Sequence, residues 1–118
     1  MGTFQVAIEV GDPQGQRWQS IEALVDTAAT YTWVPAPILE SLGVQPAFRF
    51  PFITPDGRCM EREVAETRVR LDGQVRTTLV VFGDAGTRPL LGAYTMEGFG
   101  VAADPLNRRL VPVPGLLL

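Results

Sequence analysis

In residues 22–35, "EALVDTAATYTWVP", the apolar run Ala-Leu-Val ends at an aspartate, Asp26. Asp26 follows Ala-Leu-Val and is followed at once by Thr27, and a second strand-like segment begins at Tyr31. An aspartate at the end of such a run is costly to remove from water unless the carboxylate is paired or used in chemistry. The plain interpretation of Asp26 is a turn cap at a strand end, and the functional interpretation is a catalytic acid or base.

The composition narrows the chemistry that this chain can perform. It has 118 residues, no histidine, and arginine at each of its ten basic positions. Histidine metal sites, Ser-His and Cys-His nucleophile pairs and lysine Schiff bases are therefore excluded. Carboxylates are the acid–base groups that remain for an enzyme, and the sequence indicates no metal and no cofactor.

The distribution of charge limits the kinds of molecule that we expect this protein to bind. The net charge is −3 and the arginines are scattered, which argues against nucleic acid or an anionic membrane as the main partner. No apolar stretch approaches the ~20 residues of a membrane span, and the start lacks the basic region of a secretory signal. The single Cys59 excludes an internal disulfide. We therefore expect a cytoplasmic protein, with no pro-segment before its first strand.

Short alternating segments separated by turn residues predict a mainly β fold. The predicted strands are 3–10, 17–25, 31–34, 48–53, the two runs that flank Asp72-Gly73, 89–92 and a closing hairpin within 101–113. Short helices are predicted at 37–43 and 93–100, and the residues Thr-Pro-Asp-Gly at 54–57 predict a hairpin turn. Pro112 and Pro114 indicate that the last strand lies at an edge or is interrupted. This pattern is typical of a barrel-like domain.

Three motifs that are far apart in the sequence occur in an order that indicates a known fold. An apolar strand ends in Asp26-Thr27, a hairpin tip follows at 54–57, and Leu90-Leu91-Gly92 precedes a short helix. Together they resemble the retroviral-type (retropepsin-like, clan AA) aspartic proteases, and the closing segment 101–113 resembles the bacterial members of that clan. The resemblance covers nearly the whole chain. It implies a single-domain acid-protease barrel, residues 1–118, with a β-hairpin flap, that assembles as a homodimer.

The resemblance also implies a site shared between two chains. Asp26 of each chain would supply one carboxylate, so that one member of the pair activates water while the other protonates the substrate carbonyl. Thr27 would hydrogen-bond across the dimer, and Leu90-Leu91-Gly92 would be the structural motif that supports the site. An extended peptide or protein substrate would lie between the backbone of Ala28 and Ala29 and a closing flap. The flap residues implied are Thr54, Pro55, Asp56 and Gly57.

Ala28 departs from the family pattern, which has glycine after Asp-Thr. Glycine is required either where φ is positive or where another backbone comes close. A positive φ would cost alanine roughly 1–2 kcal/mol, whereas a methyl group in the path of the substrate would block binding. The sequence leaves both effects open, and with them two functions: an active aspartic endopeptidase, or a pseudo-peptidase dimer that binds peptides or acts as a scaffold. A structural β-domain without a cleft is a third alternative.

Other positions give smaller predictions. Retroviral members often place a paired aspartate and arginine where this chain has Thr30 and Ala93. Loss of both partners of an ion pair destabilises a protein less than loss of one partner. Trp18 and Trp33 are predicted in the core or in an interface. The apolar end "GLLL", residues 115–118, predicts surface that the dimer interface covers.

Overall fold

A computed structural model describes residues 4–115 and Leu117 of the chain. In this part of the chain nine strands and two short helices follow one another. The strands are β1 (Gln5–Gly11), β2 (Trp18–Val25), β3 (Thr32–Pro35), β4 (Phe48–Ile53), β5 (Cys59–Leu71), β6 (Gln74–Gly83), β7 (Leu90–Leu91), β8 (Val101–Asp104) and β9 (Arg109–Pro112). The helices are α1 (Ala36–Ser41) and α2 (Ala93–Phe99). The mainly β class is confirmed, and the elements lie close to their expected bounds.

Six of the strands close into a barrel. The sheet order is β1-β2-β7-β3-β6-β5-β4, and β1 also pairs with β5 through Glu9 opposite Arg70. β5 is 13 residues long, so it pairs with β6 along its second half and with β4 along its first half. β4 therefore leaves the barrel. The β4–β5 hairpin extends outward as an arm, which we define as residues 48–63.

The barrel interior is filled by valine and leucine side chains that the strands direct inward. Fully buried members of this core are Val10, Val25, Val34, Val69, Val80 and Leu91. Burying one such side chain contributes roughly 1.5–3 kcal/mol relative to leaving it exposed. Because Val25 and Leu91 are both in this set, the strand ends next to Asp26 are anchored in the core.

The predicted Asp72-Gly73 turn joins β5 to β6. Both residues have positive φ, 51° for Asp72 and 77° for Gly73, which fits a two-residue turn between antiparallel strands. Gly43 also has a positive φ, 77°, just after the last turn of α1. Glycine therefore ends this helix as the sequence predicts.

β8 and β9 form a separate two-stranded sheet, which confirms the predicted closing hairpin. β9 ends at Pro112 and pairs with β8 alone in the described part of the chain, so this proline lies at an edge, as predicted. Leu116 and Leu118 lie outside the described residues, and Leu117 is exposed. The interface predicted for 115–118 therefore stays a prediction. Among the described residues, no helix is long and apolar enough to cross a membrane.

Candidate active site

Asp26 lies at the point where β2 leaves the barrel core. The next residues form a tight turn, in which the Ala29 N–H donates to the Asp26 carbonyl at 3.2 Å. Thr27 and Ala28 occupy the two central positions of that turn. The Ala28 N–H also donates to Asp26 Oδ1 at 3.0 Å. A backbone donor therefore fixes the orientation of this half-buried carboxylate.

β7 lies directly behind the Asp26 loop, which we define as residues 26–31. β7 pairs with the end of β2, and the Asp26 N–H donates to the Leu91 carbonyl at 3.0 Å. Gly92 then passes so close to the loop that a Cβ there would stand 2.4 Å from the Tyr31 carbonyl oxygen. The close approach of two backbones therefore requires glycine at this position.

Main-chain hydrogen bonds also join the Asp26 loop to the start of α2. The N–H groups of Ala93 and Tyr94 donate to the carbonyls of Ala29 and Thr30, at 2.8 and 2.9 Å. Thr30 and Ala93 are the positions at which an ion pair is often found in the family that the sequence resembles. In this chain the backbone makes the connection without charged groups.

Three buried threonines form a chain of hydroxyl groups beneath the loop. Thr32 donates to Thr95 at 2.7 Å, and the hydroxyls of Thr95 and Thr78 are 2.9 Å apart. Thr32 Oγ1 also accepts from the Gly92 N–H at 3.1 Å. Because an unpaired buried polar group is costly, this chain of hydroxyls fixes β3, β6 and α2 relative to Gly92. These threonines were not predicted from the sequence, since threonine in a strand is also an ordinary strand former.

A cleft of about 730 Å³ lies between the Asp26 loop and the arm. Its lining residues are Asp26, Ala28, Ala29, Thr30, Trp33 and Leu90 from the barrel side, and Phe50, Pro51, Phe52, Ile53, Thr54, Pro55, Met60 and Arg62 from the arm. Within this described lining, Asp26 and Arg62 are the only charged groups. A largely apolar cleft of this size with a carboxylate in its lining is a candidate ligand-binding site. Its presence argues against a structural β-domain without a cleft.

The predicted site residues fall into three groups: those that line the cleft, those exposed outside its lining, and those buried behind it. Those that line the cleft are Asp26, Ala28, Ala29, Thr54, Pro55 and Leu90. Thr27 is exposed at the turn, outside the cleft lining, and Asp56 and Gly57 are exposed at the tip of the arm. Leu91 and Gly92 are buried behind the cleft.

The predicted hairpin turn forms the tip of the arm. The Thr54 N–H donates to the Arg58 carbonyl and the Gly57 N–H donates to the Thr54 carbonyl, both at 2.8 Å. Gly57 has a φ of +88°, which glycine adopts readily. The Thr54 hydroxyl, followed by the Arg58 N–H, holds the pKa of Asp56 below its ordinary value. The carboxylate of Asp56 is thus engaged in the turn itself and lies outside the cleft lining.

Ala28 has an ordinary backbone conformation. Among the described non-glycine residues, positive φ is confined to Asp72 and Arg108. The strain that alanine meets in the left-handed region is therefore absent at Ala28. Ala28 is exposed and lines the cleft. Of the two effects that the sequence left open, backbone strain is ruled out, and obstruction of the substrate by the methyl group is what remains.

Trp33 and Arg62 form a part of the cleft that the sequence did not predict. Arg62 donates to the Asp84 carboxylate with both terminal nitrogens, at 2.5 and 3.0 Å. These hydrogen bonds hold the pKa of Asp84 below its ordinary value. The Arg62 guanidinium also lies 6.0 Å from the centre of the Trp33 ring. Trp33, predicted in the core or an interface, is half-buried and faces the cleft.

The acidic and thiol side chains of the described chain are dispersed rather than clustered. Within residues 4–115 and Leu117, no group of three histidine, cysteine, aspartate or glutamate side chains is placed to hold a metal ion. The charged groups that these residues offer to the cleft are the Asp26 carboxylate and the Arg62 guanidinium.

Comparison with known proteins bears on the fold. No family model matches the sequence, and no curated protein matches it. Among solved structures, the solution structure of the simian foamy virus (mac) protease is similar, with a TM-score of 0.56 and 20% sequence identity. The match covers 79% of this chain and 91% of that chain. At this identity the likeness establishes a shared fold, and the chain has the retropepsin-like fold that the three sequence motifs indicated.

Proposed function

We propose that the chain is an aspartic endopeptidase that works as a homodimer and hydrolyses extended peptides. The observation that carries this proposal is the Asp26 carboxylate, which the Ala28 N–H orients and which opens onto an apolar cleft beneath the arm. The retropepsin-like fold supports the same class of enzyme. The β8–β9 hairpin supports a bacterial type of this fold, by its resemblance in sequence.

Two chains are needed because the described cleft of one chain contains a single carboxylate, that of Asp26. Peptide hydrolysis of this kind requires a base that activates water and an acid that protonates the substrate carbonyl. A second copy facing the first across the Asp26 loop would bring the second carboxylate. Two carboxylates at close range share one proton, which supplies both roles. Thr27, exposed beside Asp26, would then contact the same turn of the second copy.

The ionised member of the pair takes a proton from a water molecule, whose oxygen attacks the carbonyl carbon of the scissile bond. The protonated member gives its proton to the carbonyl oxygen, which produces a tetrahedral gem-diol. The first aspartic acid, which now carries the proton from water, gives it to the amide nitrogen, while the second aspartate takes a proton from a gem-diol hydroxyl. The C–N bond then breaks, a carboxylic acid and an amine are released, and the pair again shares one proton. The backbone of Ala28 and Ala29 would hold the substrate main chain, and the arm would act as the flap that covers it.

Charge and thiol chemistry support the proposed partner and compartment. The net charge of −3 with scattered arginines favours a peptide or protein substrate over nucleic acid. Cys59 is an exposed free thiol, which suits a reducing compartment such as the cytoplasm.

Ala28 favours a second candidate function, a dimer that binds extended peptides without cleaving them. Its methyl group lines the cleft close to Asp26, at the position where the related sequence pattern has glycine. A displacement of the scissile bond by the width of a methyl group would move it out of near-attack geometry. Binding through the rest of the apolar cleft would persist.

One assay distinguishes the two candidates. The parent, Asp26→Asn and Ala28→Gly are incubated with a diverse peptide library at several pH values. Asp26→Asn is the matched control, because its amide is nearly isosteric and keeps an acceptor for the Ala28 N–H. If the chain is an endopeptidase, the parent and Ala28→Gly cleave peptides and Asp26→Asn does not. Cleavage that persists in Asp26→Asn would refute it. A folded, dimeric parent that binds peptides without cleaving them would establish the second candidate.

A further inference from the structure

The arm lacks backbone support from the rest of the barrel. β4 is the last strand of the sheet and pairs with β5 alone in the described chain, and the pairing of β5 with β6 begins only at Val64. Over residues 48–63 the described strands of the arm therefore bond to each other. Side-chain contacts must then set how closely the arm covers the cleft.

An aromatic face of the arm supplies such contacts. Phe48, Phe50 and Phe52 share one face of β4, because alternate residues of a strand point to the same side. The ring centre of Tyr31 lies 5.6 Å from that of Phe50 and 6.1 Å from that of Phe52, both edge-to-face. Trp33 adds a contact of 5.1 Å to Phe52. Edge-to-face pairs at these distances attract beyond the area that they bury.

Tyr31 is itself held from behind. Its carbonyl lies against Gly92, and its ring packs edge-to-face on Tyr94 of α2, with centres 5.7 Å apart. Tyr31 is also the last residue of the Asp26 loop. One residue therefore connects the arm, the loop that carries Asp26 and the helix behind it.

We propose that Tyr31 is a positioning residue, whose ring holds the arm closed over the Asp26 cleft through Phe50 and Phe52. The other strand of the arm is held by the Arg62–Asp84 ion pair, in which the Asp84 side chain is 64% exposed. The Arg62 side chain is 23% exposed, so salt weakens this pair in part, less than it weakens a pair at the open surface. The ring contacts of Tyr31 are apolar and keep their strength at high salt.

Removal of the Tyr31 ring would let the arm lift and uncover Trp33. For an active peptidase this raises the KM of a peptide, while kcat changes less, because the Asp26 turn keeps its backbone hydrogen bonds. The effect on KM rests on the proposed function. The position of the arm does not, so the two are measured separately.

Trp33 reports the position of the arm, because Phe52 packs on its ring. Trp18→Phe leaves Trp33 as the single tryptophan, and acrylamide quenching then measures solvent access to it. In this background Tyr31→Ala is expected to raise the quenching constant about two-fold through local opening of the arm. Tyr31→Phe is expected to keep the parent value, because the contact is made by the ring rather than the hydroxyl.

Phe48→Ala is the matched control, because it removes a ring of the same arm face, 6.4 Å from the centre of Phe50, that has no ring contact with Tyr31 or Trp33 among the described residues. Folding of each variant is verified by circular dichroism. A folded Tyr31→Ala protein with parent quenching would overturn the proposal, and so would an equal rise in Phe48→Ala. If Tyr31→Ala does not fold, Phe50→Ala replaces it, because Phe50 is 37% exposed. Parent quenching in a folded Phe50→Ala protein would likewise overturn the proposal.

Peptide KM is measured on the same proteins, so that the position of the arm and its effect on peptide cleavage are tested separately. A rise in both quenching and KM in Tyr31→Ala supports the positioning role within an active peptidase. A rise in quenching when the parent cleaves no peptide refutes the proposed endopeptidase and supports the positioning role alone.

Discussion

Ala28 shows how a single methyl group can be harmless to folding and still matter for chemistry. Its backbone lies outside the left-handed region, so the fold accepts alanine here. Its N–H orients the Asp26 carboxylate, and every residue except proline carries this donor. The methyl group therefore changes the space in the cleft rather than the geometry of the turn.

The first prediction concerns Ala28→Gly. We expect the free energy of unfolding to fall by about 0.4–1 kcal/mol, because glycine gives the unfolded chain more conformational freedom. We expect kcat/KM for a cleaved peptide to rise, because the cleft gains the volume of the methyl group. Urea unfolding at fixed protein concentration and steady-state kinetics measure the two effects separately. A glycine variant that unfolds at higher urea would show that alanine is strained at this position.

At the scale of the element, the Asp26 loop and the start of α2 can cross only because Gly92 has no side chain. β7 is two residues long and is inserted between β2 and β3. The sequence identified Leu90-Leu91-Gly92 only as a structural motif that supports the site, and the close approach of another segment to Gly92 is a finding of the structure. The structure identifies that segment as the backbone at Tyr31.

The second prediction compares two glycines of the same region. In Gly92→Ala, the new Cβ would stand 2.4 Å from the Tyr31 carbonyl oxygen, so we expect a loss of at least about 1–3 kcal/mol of stability, or no folding. Gly98 lies within α2, and a Cβ added there would have no neighbouring atom within 4 Å among the described residues. We therefore expect Gly98→Ala to stabilise the protein by up to about 1 kcal/mol. Thermal unfolding measures both, and equal Tm values would contradict the packing argument.

At the scale of the whole molecule, the charged residue that is buried among the described residues is Asp12, which lies outside the cleft lining. Asp12 is buried in the turn between β1 and β2, where its Oδ1 accepts from the N–H groups of Gln16 and Arg17, both at 2.7 Å. The Arg17 bond, partly opposed by desolvation, holds the pKa of Asp12 below its ordinary value of 3.8. Since the folded pKa is the lower one, this stabilisation is present above the unfolded pKa and is lost as the pH falls through the folded pKa.

The third prediction follows from the lowered pKa of Asp12 in the folded protein. Asp12→Asn is expected to lower the urea midpoint at pH 7, and its difference from the parent should shrink as the pH falls below about 3.8. Asp72→Asn, at the exposed β5–β6 turn, is the control and should change the midpoint little. A difference for Asp12→Asn that is equal at both pH values would show that the carboxylate charge is not its cause.

The fourth prediction concerns mixed subunits, because the proposed site takes one aspartate from each chain. Parent and Asp26→Asn chains are mixed in equal amounts and allowed to exchange at constant total concentration. A dimeric site predicts about one quarter of the parent activity, since one dimer in about four then has two aspartates. A monomeric enzyme would keep about half of it. Titration over several mixing ratios distinguishes the two curves.

The sequence by itself determined the chemistry that was available and the order of the elements. The absence of histidine and lysine left carboxylates as the acid–base groups, and this follows from composition alone. The turns at 54–57 and 72–73 and the strands that they join depend on neighbouring residues, so local pattern predicted them. Local pattern also placed Asp26 at the end of an apolar strand, whereas the catalytic role proposed for it came from the resemblance to the retroviral-type aspartic proteases.

Only the tertiary structure decided which side chains meet at the cleft. Arg62 bonds to Asp84 across 22 positions of the chain, and Tyr31 reaches Phe50 on an arm that leaves the barrel. The ordinary φ of Ala28 likewise belongs to a turn that β7 and α2 hold in place. The physical reason is that contacts between distant segments depend on strand register and barrel closure, and a local pattern of residues does not specify which strands become neighbours.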